Sequence, residues 1–461
     1  MNIIKKLFSP VCLTISIFLL VYIFYRSEIH WNGTIRDYYF IYYLISSVLI
    51  LCSIITFYIS EKIKIYLIIT LISVVFSLYA FEGYLTTGMK LYKKTKLYKQ
   101  QTGKNYDTRE KLEIYNDLKK KDENVVVSVY MGAYLTQQNK LFPFSGISNS
   151  KTIHCNENGY YSIYQSDRYG FNNPDSEWDK KEIEYLLVGD SFTHGACVNR
   201  PDDIASVLRT LSKKSVLNLG YSGKGPLIEY ATLREYLKPN VKKVLWIYFE
   251  VNDLSDLDNE LNLEIIKLYL KDLNFTQNLK SKQDQIDKLA IQQIERVKGR
   301  IKGREWRNSL SFKLLKFIKI KNLRNSLRRK PQPQPQPQFK EILKLAKELS
   351  IKNNSNFYFV YLPNYFGYRN CISYAVAGHE IHDCNKVENI IDVNKATQYN
   401  NSYNEVKKIV EELNISFIDI PKEVFDKETN PLKLFPFELN GHYNVEGYRK
   451  VAEAIHKFIS K

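Results

Sequence analysis

Five short runs of β-branched and aromatic residues, separated by helical patterns, dominate the second half of the chain: residues 184–188, 215–219, 244–249, 356–362 and 415–420. Each is too short for a helix and nearly continuous in apolar residues, as a strand buried on both faces must be. Residues 202–211, 226–237, 340–349, 403–413 and 445–460 lie between or after them and carry a 3.6-residue apolar period. Strands alternating with helices imply an α/β fold whose mostly parallel five-stranded sheet is covered by helices on both faces. Ligands in such sheets bind at the carboxyl ends of the strands.

The third and fourth runs lie much farther apart than an ordinary crossover requires, so residues 256–339 read as an insertion. From Lys298 to Lys330 the insertion carries 13 Lys or Arg, one Glu and interleaved apolar residues, among them Trp306, Leu310, Leu314, Phe317 and Ile318. This is a basic amphipathic pattern. It reads either as a solvated helical excursion or as a contact with anionic headgroups or an anionic polymer. The following KPQPQPQPQ, residues 330–338, predicts an extended polyproline spacer.

Before the sheet, three apolar stretches occupy the first 88 residues: 9–25, 38–59 and 65–84. Each approaches the ~20 residues that cross a bilayer as helix. Lys5 and Lys6 precede the first, but Tyr22, Phe24 and Tyr25 stand where a signal peptide would need small residues, so it reads as an uncleaved span. The expectation is a multi-pass anchor over residues 1–88 and a stalk with a small β-rich lead-in over 89–180. The α/β unit then spans 181–461. Positive charge near residues 90–99 favours a cytoplasmic α/β unit. The charged N-terminus and a candidate cysteine pair favour the opposite side, and the reading adopted is extracytoplasmic.

A formal net charge of +17 raises the question of nucleic acid. No zinc-finger spacing, recognition helix or RNP-like motif accompanies it, and the whole chain is rich in Lys, Asn, Ile and Tyr, so no nucleic-acid partner is expected. Of six cysteines, Cys12 and Cys52 fall in apolar runs, and no C-x-x-C occurs. Cys371 and Cys384 bracket a polar loop and read equally as a disulfide or as two free thiols.

The chemistry concentrates at strand ends. In YLLVGDSFTHGACV the first run stops at Gly189 and Asp190, and Ser191 follows. This places a hydroxyl at the carboxyl edge of the sheet, where it becomes a nucleophile if a base adjoins it. VLNLGYSGKGP sets Gly223 after the second run, where a glycine lets backbone approach a reacting centre. VLWIYFEVND ends the third with Asn252, an amide able to donate to an oxyanion. LNGHYNVEGYRKVAEAI sets His442 in the loop before the last helix, after the fifth run; His194, His379 and His382 do not share that position. Taken singly, each of these is more often a turn or surface residue. Together they fall at one edge.

These four blocks resemble those of the SGNH hydrolases, also called GDSL-like lipases and esterases, with Ser191, Gly223, Asn252 and His442 in the family's order over residues 182–461 outside the insertion. The resemblance implies a flavodoxin-like three-layer α/β/α sandwich. It also implies an acyl-Ser191 intermediate, with His442 as base. The Ser191 N–H, the Gly223 N–H and the Asn252 side chain are the implied oxyanion donors, and no cofactor or metal is implied. Two departures stand out. The aspartate that orients the histidine is missing, because its usual positions hold Leu439 and Asn440; Asn440 and Glu438 are the candidate orienting groups. Glu250 also stands where glycine is common, which would put a carboxylate near the site. The anchor suggests a membrane-associated esterase or O-acyltransferase on acyl, by family analogy acetyl, esters of envelope carbohydrate or a lipid-linked glycan. The alternative is a catalytically silent SGNH fold that binds glycan or organises an assembly.

Overall fold

The computed structural model describes residues 2–30, 33, 36–86, 89–134, 141–302, 314, 316–323, 334–368 and 393–461. The chain divides into two compact units, Met1–Met89 with Trp306–Arg329, and Lys90–Glu305 with Lys330–Lys461. Cys371, Cys384, His379 and His382, Trp306 and Leu310 lie outside the described residues.

In the larger unit a small sheet comes first. It is formed by β1 (Val125–Val127), β2 (Lys151–Ile153) and β3 (Ile163–Gln165), with β1 parallel and β3 antiparallel to β2. The main sheet follows: β4 (Ile183–Gly189), β5 (Val216–Asn218), β6 (Val241–Phe249), β7 (Asn356–Leu362) and β8 (Ser416–Asp419). All its pairings are parallel, in the order β5-β4-β6-β7-β8. Counted within the sheet this is 2-1-3-4-5, the flavodoxin-like order, which puts the topological switch between β4 and β6.

Strand alternation decides which side chains enter which layer. Leu186, Val188, Trp246, Tyr248, Phe359 and Tyr361 face one core, with the helices Pro226–Tyr236, Pro337–Lys352 and the end of Val393–Glu412. Tyr185, Leu187, Leu245, Ile247, Val360 and Leu362 face the other, with Ile204–Ser212 and Val445–Ile459. Because both faces are covered, the strands read in sequence as unbroken apolar runs.

Several element boundaries differ from the sequence reading, three of them for a visible physical reason. β6 begins at Val241, three residues early, because Val241 pairs with Ile183 and is buried, while the charge of Lys243 is met by Glu184 and the Tyr185 ring. The helix expected from residue 403 begins at Val393, where a polar stretch carries no apolar period to announce it. The proline spacer is shorter than expected: Pro337 is not linker but the first turn of the helix Pro337–Lys352, where its missing N–H costs nothing.

In the smaller unit, helices run over Asn2–Phe24, Arg36–Ile55 and Glu61–Thr86. Two apolar helices, Lys6–Ile29 and Glu61–Leu85, are long enough to cross a membrane; the apolar part between them, Tyr39–Ile55, is shorter. The expected stretch over 38–59 is curtailed because the chain turns after Ile55. Large apolar side chains on these helices face outward, Phe18 being 68% and Phe76 73% exposed. Inward, the Ser16 and Ser53 hydroxyls meet at 3.0 Å and Ser9 donates to the Thr56 carbonyl at 3.0 Å. Part of the basic insertion belongs to this unit. The buried Glu82 carboxylate accepts the Asn322 and Leu323 N–H groups at 3.0 and 2.8 Å, and Tyr79 donates to the Ile318 carbonyl at 2.9 Å.

Candidate active site

β4 delivers Ser191 to the carboxyl edge. Asp190 caps the one-turn helix Ser191–His194, its Oδ1 accepting the Phe192 N–H at 2.8 Å. Gly195 closes that turn at φ +79°, a left-handed conformation suited to glycine. At the far end of the chain, Asn444 caps the helix Val445–Ile459 by accepting the Gly447 N–H at 2.9 Å. The buried Tyr443 donates to the Pro363 carbonyl at 2.6 Å and packs on Phe192, Phe425 and Phe435. Between these anchors stands His442, its ring 4.8 Å from that of Phe192.

His442 Nε2 lies 2.9 Å from Ser191 Oγ. The other ring nitrogen, Nδ1, lies 3.1 Å from Glu157 Oε2, and that same oxygen accepts the His442 backbone N–H at 2.6 Å. With Nδ1–H donating to the carboxylate, Nε2 is left as the acceptor facing the hydroxyl, the tautomer a general base requires. Burial alone would lower the His442 pKa. The hydrogen bond to Glu157 and the charges of Glu157 and Asp190 outweigh it, and the net displacement is upward. Burial likewise opposes ionisation of Glu157, but His442 and Lys94 hold its pKa below the usual carboxylate value.

The orienting group is therefore neither Glu438 nor Asn440. Glu438 is exposed and its carboxylate meets Asn430 at 3.3 Å, and Asn440 is exposed in the same loop. Glu157 comes from the lead-in loop after β2, 285 residues from His442 in sequence. No strand, motif or period marks it; the sole local hint is its place two residues after Cys155. That cysteine is bonded to Cys197, just past the nucleophile's turn. The candidate pairing of Cys371 with Cys384 falls outside the described residues, so the disulfide in view is one the sequence reading did not propose. Cys12 and Cys52 are free.

Gly223 sits at φ +85°, and a Cβ there would overlap the Tyr130 ring. Its loop is held by a buried cluster: the Ser222 hydroxyl lies 2.9 Å from His154 Nε2 and 3.3 Å from His194 Nδ1, with Tyr221 stacked on His194 at 4.8 Å. His194 thus serves the loop rather than Ser191, and burial pushes its pKa down to about 3. Among the described residues, neither the Ser191 N–H nor the Gly223 N–H donates to another protein group. Asn252 stands beside Ser191, and its Nδ2 donates to Asp190 Oδ2 at 3.2 Å and to Asp256 Oδ2 at 3.0 Å. Ser191 Oγ lies 3.3 Å from the same Asp190 oxygen. An oxyanion served by Asn252 must therefore draw one N–H away from a carboxylate. Burial, with a contribution from the Asp190 charge, raises Asp256 to about 6 against the Asn252 hydrogen bond.

Glu250 does not reach the reacting atoms. Its carboxylate accepts the Tyr361 hydroxyl at 2.6 Å and the Asn364 N–H at 2.7 Å, tying the end of β6 to the segment after β7. Glu157, Cys197 and His442 bring ligand-type atoms within 4.8 Å of one another, but the Cys197 sulfur is committed to the disulfide. Ser191 and His442 meet at the carboxyl edge of the sheet, Asn252 reaches the Asp190 carboxylate next to Ser191, and Gly223 stands in the loop after β5.

No family model and no curated protein matches the chain. Solved structures similar to it include a G-D-S-L family lipolytic protein of Desulfitobacterium hafniense DCB-2, at 12% identity and TM-score 0.31, covering 60% of this chain and 99% of that one. A second such protein, from Veillonella parvula DSM 2008, aligns at 12% identity and TM-score 0.30 over 60% and 99% of the two chains. An acetylxylan esterase of Geobacillus stearothermophilus aligns at 14% identity and TM-score 0.29 over 60% and 94%.

Proposed function

We propose that the protein is a membrane-anchored serine esterase or O-acyltransferase working through an acyl-Ser191 intermediate. The observation that carries the reading is the chain of contacts Glu157–His442–Ser191, at 3.1 and 2.9 Å, at the carboxyl edge of the sheet. His442 takes the Ser191 proton as Oγ attacks an ester carbonyl. The oxyanion turns toward the free N–H groups of Ser191 and Gly223, with Asn252 donating as it leaves Asp190 or Asp256. His442 then passes its proton to the departing alkoxide, leaving the acyl group on Ser191. Water or a sugar hydroxyl, deprotonated by His442, removes it.

The acceptor or leaving group is a carbohydrate of the cell envelope, and acetyl is the acyl group. In support, the Tyr130 ring lies against the oxyanion glycine with 56% of its surface exposed, a flat apolar face beside polar groups of the kind that orients a sugar ring. The apolar helices support a membrane location. The disulfide supports an oxidising compartment and hence an extracytoplasmic catalytic unit. In support of a contact with anionic headgroups, Lys316 and Lys319 of the basic insertion are exposed beside Leu314 and Ile318.

The second reading, a silent glycan-binding fold, draws on the commitment of Asn252 to two carboxylates. Intact-protein mass after incubation with a fluorophosphonate separates the two. One adduct on the wild type, absent from Ser191→Ala and much reduced in His442→Ala, supports the enzyme; no adduct on the folded wild type supports the silent module.

A further inference from the structure

Glu157 belongs to the small sheet's loop, not to the sheet that carries Ser191 and His442. That loop runs from Cys155 to Ser162, is closed by the Cys155 carbonyl accepting the Ser162 N–H at 2.8 Å, and turns at Gly159 with φ +93°. Two links fasten it beside the nucleophile. Asn158 Nδ2 donates to the Cys197 carbonyl at 3.0 Å, and the Cys155–Cys197 disulfide joins it covalently to the segment that leaves the Ser191–His194 turn. Both links end on Cys197, six residues after Ser191, and they flank Glu157 on either side. Cys197 itself is buried and sits at φ +65°, an unusual conformation for a side-chain-bearing residue. A carboxylate at 3.1 Å from an imidazole loses most of its orienting effect if its loop retreats by an ångström or two.

We propose that the Cys155–Cys197 disulfide is a positioning element of the catalytic triad, holding Glu157 against His442, so that full activity requires the two thiols to be oxidised. The inference rests on the esterase reading above. Reduction by a dithiol transfers two electrons and two protons to the disulfide, yields two thiols and a cyclic disulfide of the reagent, and frees the Glu157 loop. His442 then keeps Ser191 but loses the group that selects its tautomer and favours its protonated form. The disulfide thus ties catalytic competence to an oxidising compartment.

The test is a double-mutant cycle on the full-length protein in detergent: wild type, Glu157→Gln, Cys155→Ser with Cys197→Ser, and the combination. The readout is the rate of fluorophosphonate inactivation across pH. If the disulfide acts through Glu157, losing it slows the wild type by about tenfold or more, moves the acid limb to lower pH, and costs less than about threefold once Glu157 is already Gln. Equal losses in both backgrounds, or no loss at all, overturn the proposal. A wild type that takes up no fluorophosphonate refutes the esterase reading but not this one. In that case the His442 titration, followed by NMR on the wild type before and after dithiothreitol, decides. A drop in its pKa on reduction, with the thermal transition still cooperative, supports positioning; an unchanged pKa overturns it.

Discussion

Replacing Glu157 by Gln probes the one member of the proposed triad that the chain order gives no reason to expect. In the transition state His442 is protonated, 3.1 Å from the carboxylate. At that separation a unit pair attracts by about 5 kcal/mol at an effective dielectric of ~20 and about 1 kcal/mol under water-like screening. The two side chains are 23% and 27% exposed, so the pair falls between those limits, at about 3 kcal/mol. The Gln amide oxygen still accepts from Nδ1–H, returning about 1 kcal/mol. The net loss of about 2 kcal/mol predicts a rate roughly 30-fold lower. The sign of the pH effect follows from the same contacts. Glu157 raises the His442 pKa, so its removal lowers it, and the acid limb, set by deprotonation of His442, moves to lower pH. Fluorophosphonate inactivation followed between about pH 5 and pH 9 measures both quantities without knowledge of the natural substrate. A rate within about threefold of wild type and an unmoved limb would refute the assignment of Glu157 as the orienting group.

Two further substitutions test the frame around the triad. Gly223→Ala places a Cβ into the Tyr130 ring at φ +85° and adds about 1–2 kcal/mol of backbone strain. It should slow fluorophosphonate uptake at least tenfold, by displacing the N–H donor, while the thermal transition stays cooperative. Glu260→Ala removes a buried carboxylate that accepts the Gly225, Leu227 and Ile228 N–H groups at 2.6, 2.9 and 3.2 Å, capping the helix Pro226–Tyr236 just after the Gly223 loop. A loss of about 2–3 kcal/mol in unfolding free energy is expected, and a melting temperature equal to wild type would refute it.

Much of the fold is legible along the chain because its cause is local. β7 is read to the residue and β4 to within one, since a strand buried on both faces must be apolar throughout. Ser191 and His442 are legible for a related reason: each lies at a junction, strand into turn and loop into helix, that a short stretch of sequence announces. The limits are equally physical. The start of β6 is masked by Lys242 and Lys243, whose charges are met by Glu182 and Glu184 across the sheet rather than by neighbours in sequence. Glu250 looks like a site residue by position and proves structural, because Tyr361 and Asn364, brought alongside by the β6–β7 pairing, claim its carboxylate.

By itself the sequence determined the parallel sheet, its covering helices and the edge at which Ser191 and His442 meet. The tertiary structure decided which carboxylate orients His442, which cysteines bond, and what holds the Asn252 amide. Each of these depends on contacts between segments distant in sequence: Glu157 with His442, Cys155 with Cys197, Asp190 with Asn252. Periodicity and capping are properties of a few consecutive residues. The choice of a partner 285 residues away is made only when two sheets pack, and no local pattern encodes it.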